Sequence, residues 1–97
     1  MEITKTENGK TVTLSVKGRL DTMTTPELEK EIQACGNFDS LEIDFTNLEY
    51  ISSAGLRVLL SAHKSFSKKN GMIVKNINST VMDIFEVTGF KDILTIA

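Results

Sequence analysis

The sequence has 97 residues and a mass of 10.7 kDa, and its 40% hydrophobic and 25% charged residues are typical of one soluble domain and too apolar for a disordered chain. Eleven basic against thirteen acidic residues leave a formal charge of -2, which argues against direct nucleic-acid binding by bulk charge. A lone cysteine excludes an intrachain disulfide and favours a reducing compartment, and no apolar run suits a signal peptide or membrane insertion. We therefore expect a single cytoplasmic domain over residues 1–97.

The residue inventory also excludes most enzyme sites. One histidine (His63) and one cysteine (Cys35) leave no metal cluster, no Cys/His pair and no spare Ser-His-Asp set. No glycine-rich phosphate loop occurs. His63 and Cys35 each lie at helical spacing from apolar residues, which predicts that their side chains pack in the core. We expect no metal, no cofactor and no enzyme activity, although a site built from Asp, Glu, Ser and Lys alone stays open.

The chain begins with a predicted β-hairpin. Residues 2–7 can form a short strand, and Asn8-Gly9 is the strongest signal for a two-residue turn. The next segment alternates, with one apolar face formed by Val12, Leu14, Val16 and Leu20. Gly18 falls on this face, which predicts a bulge or a close backbone approach.

Two helices flank the next predicted strand. Pro26 suits the first position of a helix that has Thr25 as its N-cap. Residues 41–45 alternate and predict a strand. A second helix should begin near Ser53 and end at Asn70-Gly71. Its predicted inner face consists of Leu56, Leu59, Leu60, His63 and Phe66.

The last third predicts a strand over residues 72–77, a helix over 80–88 and a strand over 93–96. The order β-β-α-β-α-β-α-β is a hairpin followed by three crossovers, which gives an α/β fold with a small mixed sheet of four to five strands. Because the strands alternate instead of being apolar throughout, the helices should lie mainly on one face.

Two loops leave the carboxyl ends of predicted strands, where the sites of open α/β sheets gather. They span residues 18–22 and 47–53. If both strands run in the same direction, Asp21 and Ser53 lie close together. The Ser53 hydroxyl is a candidate N-cap. A phosphate there would also be tolerated, because its added charge of about -1.5 to -2 faces the positive end of the helix.

Three segments resemble the STAS domain family, and in particular its small anti-sigma-factor antagonists. Residues 44–56, DFTNLEYISSAGL, are similar to the family's signature at a strand end and helix start. Gly18-Arg19-Leu20-Asp21 resembles its Gly-x-Leu-Asp loop, and residues 84–90 resemble its C-terminal Leu-Phe-x-x-x-Gly segment. The three matches occur in order along essentially the whole chain.

The resemblance implies a partner-switching role. An unphosphorylated antagonist of this family binds an anti-sigma factor that is also a serine kinase, which frees a sigma factor. Phosphorylation then breaks the complex, and a serine phosphatase resets it. Carried over by position, the phosphoacceptor is Ser53, with Ser52 as the alternative. Ser52 stands where the family usually has Asp, and Arg57 replaces a small residue.

The predicted partner-binding surface comprises Asp21, Thr22, Met23, Ser52, Ser53, Ala54, Gly55, Leu56 and Arg57. Simpler structural roles stay open for two of these residues. Asp21 can cap the N–H groups of its own turn, and Gly55 can serve the close packing of the helix start on the sheet.

Two other functions stay open at this point. One is an adaptor subunit of a lipid ABC transporter, which needs no phosphorylation. The other is a nucleotide-binding sensor that uses the helix N-terminus near Ser53. The sequence identifies neither the sigma factor nor the oligomeric state.

Overall fold

A computed structural model describes residues 1–97 and contains a five-stranded sheet covered by helices on one face. The elements in chain order are β1 (Glu2–Asn8), β2 (Thr11–Leu20), α1 (Thr25–Gln33), β3 (Ser40–Asp44), β4 (Leu48–Ile51), α2 (Ser53–Phe66), β5 (Gly71–Lys75), α3 (Ser79–Thr88) and α4 (Phe90–Ile93). The predicted mixed α/β fold is confirmed.

Strand β2 is the centre of the sheet. It pairs antiparallel with β1 and parallel with both β3 and β4, and β5 runs parallel beside β3. Residues 11–15 of β2 face β3, whereas residues 18–20 face β4. The register shifts between Gly18 and Arg19, and Gly18 has a φ of +106°, so the predicted bulge is confirmed. This bulge allows one long strand to pair with two short strands in succession.

The alternation of the strands explains why only one face of the sheet is covered. Inward residues such as Leu14, Ile43 and Val74 are fully buried in one cluster with the apolar sides of the helices. The opposite face carries polar residues that water reaches, including the ion pair between Lys75 Nζ and Glu42 Oε1 at 2.9 Å. The predicted arrangement of helices on one face follows from this pattern.

Helix α2 is fastened at both ends. At its start, the Ser52 N–H donates to Leu20 O at 2.8 Å. Beyond its end, Lys69 Nζ donates to Phe38 O at 2.9 Å and also to Gly36 O, in the turn that follows α1. None of the four helices has the length and apolar character needed to cross a membrane.

Strand β4 lies inside the segment predicted as a loop. Its buried residues, Leu48 and Ile51, are three positions apart and do not alternate, so the sequence lacks the usual strand pattern. Hydrogen bonding to the second half of β2 forms this strand instead.

The predicted C-terminal strand is wrong for most of its length. Gly89 ends α3 with a φ of +82°, and the chain then forms the short helix α4. Only Ile96 pairs with the sheet, in an isolated bridge to Val74. The burial of Leu94 directs this segment inward.

Three finer predictions also need correction. The hairpin turn consists of Gly9 and Lys10, since Asn8 still pairs with Thr11. The N-cap position of α1 is Thr24 rather than Thr25, whose hydroxyl donates to Asp21 O at 2.5 Å. On α2, Leu60 and His63 are half-buried, and Ala62 completes the buried face together with Gly55, Leu56, Leu59 and Phe66.

Candidate functional site

The structure brings the two predicted loops to the same edge of the sheet. β2 and β4 run parallel and end side by side, with Leu20 opposite Ile51. The 2.8 Å hydrogen bond from the Ser52 N–H to Leu20 O continues this pairing by one residue. The Asp21 turn and the start of α2 therefore leave the sheet next to each other.

Ser52 is the N-cap of α2. Its backbone is extended, with φ -93° and ψ 173°, and its hydroxyl accepts from the Gly55 N–H at 3.4 Å. Its carbonyl accepts the first helical hydrogen bond, from the Leu56 N–H at 3.0 Å. The sequence suggested this capping role for Ser53, so that assignment shifts by one residue.

Ser53 is the first residue within α2, and its side chain is exposed. Its hydroxyl takes no part in the cap, which is made by Ser52. The Ser53 and Ala54 N–H groups precede the helical hydrogen bonds and have no acceptor within the helix. Of the two neighbouring serines, Ser53 therefore presents a free oxygen to solvent.

Asp21 organises the adjoining turn. Its Oδ1 accepts from the Met23 N–H at 2.9 Å and from the Thr24 N–H at 3.0 Å, so the capping role left open for it is observed. The hydrogen bond from the Thr24 N–H is the main cause that holds the pKa of the Asp21 carboxyl below its usual range. Asp21 thus carries a negative charge at neutral pH.

The Asp21 turn displays an apolar side chain to solvent. Thr22 is exposed, and the apolar side chain of Met23 is 85% exposed. Both lie at the same edge of the sheet as Ser53.

The predicted residues of α2 divide into surface and core. Arg57 is exposed, Ala54 is half-buried, and Gly55 and Leu56 are buried. A Cβ atom on Gly55 would lie 2.7 Å from Ile51 Cγ1 and 3.3 Å from Leu20 Cβ. Gly55 and Leu56 therefore hold the start of α2 against the sheet, and the exposed surface is formed by the residues around them.

Sequence reasoning missed one neighbouring pair. Arg19 and Tyr50 are opposite each other on β2 and β4, and the Arg19 guanidinium carbon lies 4.5 Å from the centre of the Tyr50 ring. The sequence predicts both residues in loops, because β4 lacks the alternation of a strand, and their pairing depends on β4.

The start of α2 does not line the main cavity of the protein. That cavity, of about 360 Å³, lies between α1 and α2 and is bordered by residues such as Ile32, Val58 and Phe66. No group of three or more His, Cys, Asp or Glu side chains is placed to hold a metal ion. His63 Nδ1 is buried and has no hydrogen-bond partner. The surface around Ser53 thus suits a macromolecule better than a small enclosed ligand.

Comparison with known proteins shows the family of the chain. The family model described as "STAS domain" matches residues 2–97. The chain belongs to the STAS domain family. A relative from Bacillus subtilis (strain 168), named anti-sigma-B factor antagonist, is 27% identical over 93 residues, which are 94% of this chain and 85% of that protein.

Solved structures of anti-sigma factor antagonists share the fold. An anti-sigma factor antagonist from Mycobacterium paratuberculosis superposes with a TM-score of 0.89 at 24% identity, covering 98% of this chain and 83% of that one. SpoIIAA, an anti-sigma factor antagonist, has been solved in an unphosphorylated form, with a TM-score of 0.83 at 19% identity over 99% of this chain and 88% of that one. Its phosphorylated form, from Bacillus, gives 0.76 at 19% identity over 99% and 91%.

Proposed function

We propose that this protein is an anti-sigma-factor antagonist that acts by partner switching in the bacterial cytoplasm. In its unmodified form it binds an anti-sigma factor with serine kinase activity, and a sigma factor is released. Phosphorylation of Ser53 ends that binding, and a serine phosphatase restores it. The names of the curated relatives and the two solved forms of SpoIIAA support this role.

The observation that carries the proposal is the difference between the two serines. Ser53 is exposed with an uncommitted hydroxyl, whereas the Ser52 hydroxyl caps α2. In the modification, Ser53 Oγ forms a bond to the γ-phosphorus of ATP, the bond from that phosphorus to the β-phosphate bridge breaks, and ADP leaves. The hydroxyl proton passes to a base supplied by the kinase.

Electrostatics is sufficient for the switch. A phosphate adds about -1.5 to -2 charges at one point on a chain whose formal charge is -2. Weakening a complex a hundredfold requires about 2.7 kcal/mol, and charge pairs across interfaces couple by about 1.5 to 7 kcal/mol. One dianion placed in the interface can therefore displace the partner without a change of fold.

The proposed contact surface surrounds Ser53. On the Asp21 turn, Thr22 is exposed and Met23 offers an apolar side chain; on α2 and at its N-cap, Ser52, Ala54 and Arg57 lie within four positions of the serine. Asp21 contributes by holding the Met23 turn in place, through the hydrogen bonds of its carboxylate. A partner that covers this edge would contact both loops at once.

The decisive experiment combines phosphorylation with single substitutions. The cognate serine kinase is incubated with ATP and with the wild-type protein, Ser53→Ala or Ser52→Ala, and mass spectrometry locates the phosphate. We expect phosphate on Ser53 in the wild type and in Ser52→Ala, and none in Ser53→Ala. Ser53→Asp places a negative charge at the same position and should weaken binding to the anti-sigma factor at least tenfold.

Other outcomes would refute the assignment. Phosphate on Ser52 would move the acceptor by one residue. Copurification with a permease and ATPase, together with a fully functional Ser53→Ala variant, would indicate the transporter adaptor instead. Nucleotide affinity of the isolated protein would indicate the sensor.

A further inference from the structure

Ser53 and Arg57 lie four residues apart on α2, and both are exposed. Side chains at this spacing are neighbours on a helix surface, and each Cα–Cβ bond tilts toward the helix N-terminus. The Arg57 side chain therefore leans back over the turn that begins with Ser53.

Arg57 has no ion-pair partner within the protein. The three ion pairs of the structure involve Lys5, Lys75 and Lys91, and the only other arginine, Arg19, is stacked on Tyr50. The first turn of α2 contains no acidic residue. Arg57 is also the one basic side chain in the first two turns of this helix.

We propose that Arg57 pairs with the phosphate on Ser53 and is thereby withdrawn from the partner. This inference rests on the proposed modification of Ser53. The planar guanidinium can donate two parallel hydrogen bonds to phosphate oxygens, which a lysine cannot match. The chain thus holds an internal counter-ion for its own modified state.

Because of this pairing, phosphorylation of Ser53 weakens partner binding in two ways. In the unmodified protein, Arg57 is free to donate to a carboxylate of the anti-sigma partner. After phosphorylation, its donors are taken by the phosphate, while the local charge changes from about +1 to about -1. The partner therefore loses an attractive contact and gains a repulsive one from a single chemical event.

The first test uses the isolated protein with phosphoserine inserted at position 53 during translation, so that no kinase is required. The phosphate is titrated by ³¹P NMR in the wild-type background, in Arg57→Gln and in Lys64→Gln, an exposed control further along α2. We expect the second pKa of the phosphate to be lower in the wild type than in Arg57→Gln by about 0.15 to 0.4 pH units. Lys64→Gln should titrate like the wild type.

Identical titrations in the wild type and Arg57→Gln would overturn the pairing. A second readout is the Arg57 side-chain N–H signal, which should shift on phosphorylation in the wild type and reach its full shift only as the phosphate loses its second proton. An unchanged signal would also overturn the proposal.

The second test measures binding of the anti-sigma kinase to unmodified and phosphorylated protein. The dissociation constant of the phosphorylated protein divided by that of the unmodified protein should be about threefold to tenfold smaller in Arg57→Gln, because the substitution weakens the unmodified complex. An unaltered ratio would refute the withdrawal of Arg57. If neither form bound the kinase while the NMR pairing was present, the proposed function would fail and the pairing would stand.

Discussion

Two adjacent serines differ in role because the helix begins between them. Ser52 keeps an extended backbone and turns its hydroxyl toward the Gly55 N–H, while Ser53 already has its place in the helix and faces solvent. The sequence predicts a phosphoacceptor within this pair but does not locate the start of the helix, because either hydroxyl is a good N-cap. The hydrogen bonds of Ser52 place the start of the helix at Ser53.

Gly55 allows the start of α2 to approach the sheet closely. Replacing it with alanine would place a methyl group 2.7 Å from Ile51 Cγ1, a carbon within the side chain that cannot move freely in the core. We expect Gly55→Ala to lower the free energy of unfolding by about 1 to 3 kcal/mol, measured by urea denaturation.

Gly36 provides the matched control for this substitution. A Cβ there would meet only Gln33 O at 3.5 Å, an ordinary contact, and its backbone is not left-handed. Gly36→Ala should leave stability unchanged or raise it by up to about 1 kcal/mol. Equal effects at the two glycines would contradict the close-packing role of Gly55.

At the scale of elements, β4 and α3 depend on each other. β4 is only four residues long and pairs with β2 alone. The Asn78 side chain joins it to α3, since Nδ2 donates to Leu48 O at 2.6 Å and Oδ1 accepts from the Val81 N–H at 2.8 Å. One amide thus caps a helix and satisfies a strand carbonyl.

Removing this amide should loosen both elements. We expect Asn78→Ala to lower the free energy of unfolding by about 1 to 3 kcal/mol, because one cap is lost and the Leu48 carbonyl loses its donor. Ser79→Ala is the control, since Ser79 is exposed and its hydroxyl bonds to nothing in the protein, and it should change stability by less than about 0.5 kcal/mol. Equal losses in the two variants would contradict the linking role of Asn78.

The strands found from sequence and the strand that was missed differ in a physical way. β2 and β3 bury one face and leave the other to water, so their alternation predicts both the strand and the covered side. β4 and the Ile96 bridge form because a neighbouring strand offers unpaired backbone groups, which no local pattern records. The hydrogen bond between Asn78 and Leu48 joins residues 30 positions apart, so it could not be predicted from local spacing.

At the scale of the whole molecule, the fold is a sheet with one open polar face and one core beneath the helices. All 22 buried hydrophobic residues belong to a single cluster, and Ser53 lies outside it. A charge added at Ser53 therefore perturbs solvent-facing atoms and leaves the packing intact.

Phosphorylation should accordingly leave the conformation unchanged. With phosphoserine at position 53, amide NMR shifts should change only in residues 20–24 and 50–58, and the radius of gyration, 12.1 Å over the Cα atoms, should stay the same. The unmodified protein measured in the same buffer is the reference. Shift changes spread across β3 and β5 would contradict a switch that acts at the surface.

The anchoring of α2 at both ends has an evolutionary consequence. Because Ser52 is hydrogen-bonded to β2 and Lys69 to the turn that follows α1, helix α2 has little freedom to move relative to the sheet. If the proposed surface binds the partner, specificity resides in exposed side chains such as Met23 and Arg57, which can be exchanged without repacking the interior. We expect duplicated copies of such a gene to acquire different partners within one cell through substitutions at a few exposed positions.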